Sequence, residues 1–155
     1  MIRKLARSIR EYWKATLLTP LFVCFEVVLE VIIPLLMANL IDYGIDAGNM
    51  NYVGKMGGAL LVAAFFSLTF GVLAGRTAAK ASAGFAKNLR QDMFYKVQGF
   101  SFANIDKFST ASIITRLTTD VTNIQNAFQM LTRMAIRSPM MLVFSLTVSI
   151  SIDAK

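Results

Sequence analysis

FSFANIDKFSTASIITRLTTDVTNIQ, Phe100 to Gln125, is the longest polar run between two apolar segments, and the fold of the whole chain turns on it. Its first part, Phe100–Phe108, carries Phe102, Ile105 and Phe108 at three-residue steps, the spacing of one face of a short helix. Behind it, Ile114, Leu117, Val121, Ile124, Phe128, Leu131 and Ala135 alternate at steps of three and four, which predicts a heptad seam. A short apolar-faced segment at the tip of a long helical hairpin is suited to pressing on another surface.

Composition says what solvent surrounds that hairpin. The chain has 155 residues, 55% of them hydrophobic, and a mean hydropathy of +0.56. A soluble domain of this size cannot hide so much apolar surface, so a membrane protein is expected. The net charge of +7 does not point to nucleic acid, because the basic residues form bands beside apolar runs rather than one patch. Histidine is absent and Cys24 is the single cysteine, which excludes intrachain disulfides, the usual zinc ligand sets and histidine-based acid, base or triad chemistry. Cys24 reads as a small buried hydrophobe.

In chain order, Met1–Lys14 alternates Arg3, Lys4, Arg7, Arg10 and Lys14 with apolar residues and predicts an interfacial amphipathic helix over 1–14. Residues 15–41 form the first span, with only Glu26 and Glu30 charged and with Pro20 and Pro34 inside it; a kink is expected at Pro34. Asp42–Asn51 has two Asp, two Gly and two Asn without a positive charge, and is a turn. Residues 1–14 hold five Lys or Arg and residues 76–137 hold nine, so this turn is expected outside and the N-terminus in the cytoplasm.

The second span, Met56–Gly75, is uncharged, and ~20 residues cross a ~30 Å hydrocarbon core. Its helical pattern runs on through Phe85, Leu89, Met93 and Val97, which predicts one helix over 52–99 that extends into the cytosol. Small residues recur along it at Ala63, Ser67, Gly71, Gly75, Ala79 and Ala83; Gly71 and Gly75 form a GxxxG pair that admits a neighbouring backbone. The row drifts around the helix, so one partner cannot follow all of it. Residues 110–152 return along the seam and cross a third time over Met134–Ile152. Three crossings leave residue 155 outside, and a third span that ends without a following domain suggests a piece of a longer chain.

Two pairs of charged residues are candidates for chemistry. Glu26 and Glu30 lie one helical turn apart in the first span, where a charge costs ~2.5–3.5 kcal/mol on insertion scales, so they face a cavity or a partner helix. They are candidate cavity residues for cationic amphipathic substrates, or hydrogen-bonded groups with no ligand role. Arg116 and Asp120, four apart in the less favourable order, form a candidate structural ion pair.

With the hairpin in place, the sequence resembles the membrane domain of ATP-binding cassette (ABC) exporters of the six-helix type. The resemblance rests on Phe102–Gln125, with Arg116-Leu117 and Asp120-Val121 matching the family's first intracellular loop, and on IPLLMANLIDYGIDAGN, Ile33–Asn49, matching the outer end of its first span. The basic N-terminal stretch resembles the family's elbow helix, and the detail is most similar to bacterial heterodimeric multidrug exporters. Thr110-Ala111-Ser112 departs from the glycine many members have after the loop helix. The resemblance implies an all-α membrane protein: an elbow helix and three long transmembrane helices, the second and third extended into the cytosol and joined by a coupling helix over 100–108. It further implies that Phe100, Phe102, Asn104, Ile105, Asp106 and Phe108 dock into a nucleotide-binding domain. ATP and Mg belong to the parent protein, with a second half-transporter, identical or not, as partner, the lipid bilayer as solvent and a small amphipathic molecule as substrate. No GxxxxGK[ST] loop occurs in the chain, so the stretch itself is not expected to be an enzyme or to hold a cofactor. The competing expectations are a sensor module with long cytosolic helices, in which such a hairpin would not turn back, and a small stand-alone carrier.

Overall fold

Among the described residues, threonine, glycine and asparagine punctuate long runs of helix. In the computed structural model, residues 7–100 and 109–153 are described. Their order is a 3-10 segment, Arg7–Tyr12; helix α1, Trp13–Leu40; a π-turn, Ile41–Ile45; α2, Met50–Gln98; α3, Thr110–Thr115; a second π-turn, Arg116–Asp120; and α4, Val121–Asp153. Among the described residues there is no strand. Three stretches, Ser8–Ile45, Met50–Gln98 and Ala111–Ile150, are long and apolar enough to cross a membrane. The all-α class with three long apolar helices is therefore what the chain adopts. Phe102, Asn104, Ile105, Asp106 and Phe108 lie outside the described residues, and so does the helix expected over 100–108 except for Phe100, which is described and is not helical.

The chain divides into two compact units. One comprises Thr19–Gly75 and Arg133–Lys155. Its centre is Val23, Val27 and Ala74, all but inaccessible, with Phe22, Ile136, Met140 and Phe144 packed around them. Phe25 stacks on Phe70 at 5.1 Å. Half-buried Cys24 puts its Sγ 3.2 Å from the Met140 sulfur. Both prolines of the first span, Pro20 and Pro34, lie inside α1. The turn between α1 and α2 is tight for three separate reasons. Gly44 is buried where a Cβ would come 2.9 Å from Val53 Cγ2; Gly48 takes φ +64°, a conformation that favours glycine; and Asn49 caps α2, its Oδ1 accepting from the Tyr52 amide at 3.2 Å.

The other unit comprises Met1–Leu18 and Arg76–Thr132. Here α2 packs through Ala78, Ala81, Ser82, Phe85 and Asn88, and Phe85 stacks on Phe128 of α4 at 4.7 Å and 16°. Ala79 and Ala83 are exposed. The predicted row of small residues therefore leaves the contact face below Gly75, because four-residue steps overrun the 3.6-residue turn. The seam also differs from prediction. Val121 is fully buried and Leu117 and Phe128 are half-buried, but Ile114, Ile124, Leu131 and Ala135 are exposed. The inward face instead runs Ile113, Leu117, Val121, Gln125 and Phe128, in steps of four, four, four and three. Those steps are longer on average than a heptad allows.

A π-turn at Arg116–Asp120 accompanies the change of register. Around it the Thr115, Thr118 and Thr122 hydroxyls each donate to the carbonyl four residues back, at 2.7–3.0 Å, a bond that loosens and bends helices. Ser109 starts the ascending arm as an N-cap, its Oγ accepting from the Ser112 amide at 3.3 Å. At the other end of the unit, Arg7–Tyr12 is a 3-10 segment rather than an α-helix, broken at Arg10 (φ 40°, ψ −117°), and α1 begins only at Trp13.

Candidate functional site

Within the predicted spans, 15–41, 56–75 and 134–152, the charged residues are Glu26, Glu30 and Arg137, and they meet at one point. Glu26 and Glu30, one turn apart on α1, both meet Arg137 of α4. Arg137 Nη1 donates to Glu26 Oε1 at 3.2 Å, and Nη2 donates to Glu30 Oε1 at 2.6 Å. The guanidinium fork reaches two carboxylates because its planar donors diverge, something a lysine cannot match. Glu26 is 8% exposed. The second oxygen of each carboxylate is buried and accepts no hydrogen bond. With all three groups ionised the cluster carries one net negative charge, and two acceptor oxygens remain for a donor.

Gly71 on α2 closes this site from a third side. A Cβ there would lie 3.1 Å from Glu26 Oε1. A Cβ on Gly75 would meet nothing within 4 Å, so of the two glycines in the GxxxG pair only Gly71 stands where space is short. Glycine at 71 thus leaves room for a carboxylate rather than for a backbone.

The partner of the two acids escaped the sequence reading, which placed Arg137 in the basic cytosolic band. The signal was there: Arg137 falls within the predicted third span, Met134–Ile152, and an arginine in an apolar span needs an acid. The only acids in the predicted spans are Glu26 and Glu30.

In the hairpin unit, Arg116 lines a cavity of about 170 Å³ together with Met93, Lys96, Val97, Ile113 and Leu117. Exposed Phe100 also borders it. Among the described residues no ion pair joins Arg116 to Asp120, which corrects the predicted pair. Both side chains are exposed, where solvent leaves such a pair a few tenths of a kcal/mol at most, about what ordering the two side chains costs. A different ion pair organises this unit: Arg10 Nη2 donates to Asp92 Oδ1 at 2.6 Å, and Ser8 Oγ donates to Asp92 Oδ2 at 3.1 Å.

The ABC transporter transmembrane region matches residues 16–155. An uncharacterized ABC transporter ATP-binding protein, YfiB of Bacillus subtilis (strain 168), is 35% identical over 130 residues, 84% of this chain and 23% of that protein. The uncharacterized ABC transporter ATP-binding protein Rv1273c of Mycobacterium tuberculosis (strain ATCC 25618 / H37Rv) is 23% identical over 154 residues, 99% of this chain and 26% of its own length. The chain thus spans about a quarter of the length of the curated relatives it matches. By a family match that covers nearly all of its residues, the chain belongs to the transmembrane region of ABC transporters and is part of a multi-pass membrane protein.

Proposed function

We propose that this chain is the membrane-spanning part of an ATP-driven exporter that moves amphipathic molecules outward by alternating access. The observation that carries the proposal is the length of α2. A helix of 49 residues is about 74 Å long, whereas ~20 residues suffice for the hydrocarbon core, so more than half of it serves something other than crossing. Its polar lower half pairs with an ascending arm in a hairpin whose tip is Phe100–Phe108. That tip acts as a coupling helix, with Phe102, Ile105 and Phe108 docked in a groove of a nucleotide-binding domain and Asn104 and Asp106 at the rim. ATP, with Mg, is hydrolysed by that domain outside this stretch, and a second half-transporter completes the bundle. Closure of two such domains is carried by the hairpins into the bilayer as rigid-body motion. The N-terminus is cytoplasmic and residue 155 lies at the external side, since basic residues are many at the hairpin and the N-terminus, whereas the first turn, Asp42–Asn51, has none and is followed by the single Lys55 before the second span.

Substrates in this reading are amphipathic, and the one negative charge left over at Glu26, Glu30 and Arg137 favours cationic ones. The hairpin proposal is tested with Phe102→Asp in the full-length transporter. A carboxylate cannot enter an apolar groove without desolvation, so the variant should keep basal ATP hydrolysis and lose transport and its stimulation by substrate. Wild-type transport with substrate-stimulated hydrolysis in Phe102→Asp would exclude the tip as the docking element.

A further inference from the structure

The N-terminal segment is tied to α2 more firmly than a membrane-surface flank requires. Asn88, 3% exposed, donates its side-chain Nδ2–H to the Ser8 carbonyl at 2.9 Å. Ser8, 4% exposed, donates its hydroxyl to one Asp92 oxygen, and Arg10 donates to the other. Both Asp92 oxygens are thus taken by residues two apart in the segment. One turn above Asn88, Gly84 faces the ring of Tyr12 so closely that any Cβ would overlap it. The contact points fall at 84, 88 and 92, one turn apart along a single face of α2.

The segment bends to make these contacts. Arg10 is the one described non-glycine residue with positive φ. Such a conformation persists only where surrounding bonds hold it. The side-chain bonds of Arg10 and of Ser8 both end on Asp92, and Asn88 holds the Ser8 carbonyl beside them. Asp92 is the residue that takes side-chain bonds from both sides of the bend, charge-assisted but partly screened because Arg10 and Asp92 are partly exposed.

We infer that residues 8–12 form a clasp on α2, locked by Asp92 and seated in the notch at Gly84, which positions the lower part of that helix against the entry to α1. The clasp stands without the transport reading. Its consequence rests on that reading: a hairpin that transmits force needs its descending helix held, and Asp92 is then a positioning residue for coupling.

The test uses the full-length transporter in membrane vesicles, with Cys24→Ser and a single reporter, Ser8→Cys, which leaves the Asn88 bond to the backbone intact. Maleimide should label the reporter slowly. Asp92→Ala should raise the labelling rate about three- to tenfold, since Arg10 and Asp92 are partly exposed and solvent screens their bond, and Gly84→Val should raise it by a separate route, by driving a side chain into the Tyr12 ring. A reporter at Val121→Cys, buried in the same unit, should stay protected in both backgrounds. Unchanged labelling at Ser8→Cys, or equal exposure at Val121→Cys, overturns the clasp. Transport per ATP should fall in Asp92→Ala and recover partly in Asp92→Glu. Slow labelling that becomes fast while transport per ATP stays at the wild-type value overturns the positioning role and leaves the clasp standing.

Discussion

Replacing Arg137 with alanine tests whether the charge cluster is held by pairing rather than by tolerance of its surroundings. The guanidinium makes two ionic bonds, at 2.6 and 3.2 Å, to acids whose remaining oxygens are buried without a partner. Removing one partner from a buried pair costs about 3–5 kcal/mol, because the other charge is left unpaired in low dielectric. The Arg137 side chain is 38% exposed and that of Glu30 27%, so the cluster is only partly buried within this chain and the effect is placed lower, at about 2–3 kcal/mol.

The control removes all charge at once. Glu26→Gln/Glu30→Gln/Arg137→Gln loses the attraction together with the desolvation penalty, and should lie within about 1 kcal/mol of wild type. Arg137→Lys, which keeps the charge but not the fork, should fall between. Abundance of the full-length protein in the membrane fraction, and its melting in detergent, give the readout: a loss of 1–2 kcal/mol already lowers abundance several-fold. If the neutral triple variant is as unstable as Arg137→Ala, side-chain volume rather than charge holds the site, and the electrostatic argument fails. The same variants test the substrate. Undiminished export of cationic dyes by the neutral triple would remove these acids from the transport pathway.

Two further perturbations discriminate between neighbouring positions. Gly71→Ala places a methyl 3.1 Å from Glu26 Oε1 and should destabilise by about 1 kcal/mol, whereas Gly75→Ala meets nothing and should be neutral or stabilising by up to about 1 kcal/mol through helix propensity; thermal melts of the two variants side by side check the contrast. Phe85→Ala empties a site 3% exposed and stacked on Phe128, which should cost about 3–4 kcal/mol and lower both abundance and melting temperature, while a wild-type melt would show that the stack does not hold α2 to α4.

What the sequence revealed and what it hid follow one physical division. The spans are readable because membrane insertion depends on summed hydropathy over some twenty residues, a quantity that single substitutions hardly change. Helix packing depends instead on which side of a helix each residue occupies, and one extra residue in a turn alters that. Ile113 took the inward place that the heptad assigned to Ile114 because the threonine-rich turn at Arg116–Asp120 is wider than an α-turn. A run of TRLTTDVT is the trace of that turn in the sequence, since three of its hydroxyls bond back to the chain.

Partners distant in sequence were the harder case. Asp92 and Arg10 are 82 residues apart, and Arg137 and Glu26 are 111 apart, and hydropathy periodicity carries no information on which helix meets which. Charge accounting within each environment does carry some. An apolar span that contains two acids and another that contains one base are incompatible with lipid separately and compatible together. That criterion pairs Arg137 with Glu26 and Glu30. It finds no such demand on Arg116 and Asp120, which lie in the polar hairpin where water serves either charge as well as the other would. The ion pair that the spacing suggested was thus the one least required, and the ion pair that the bilayer required had no spacing to announce it.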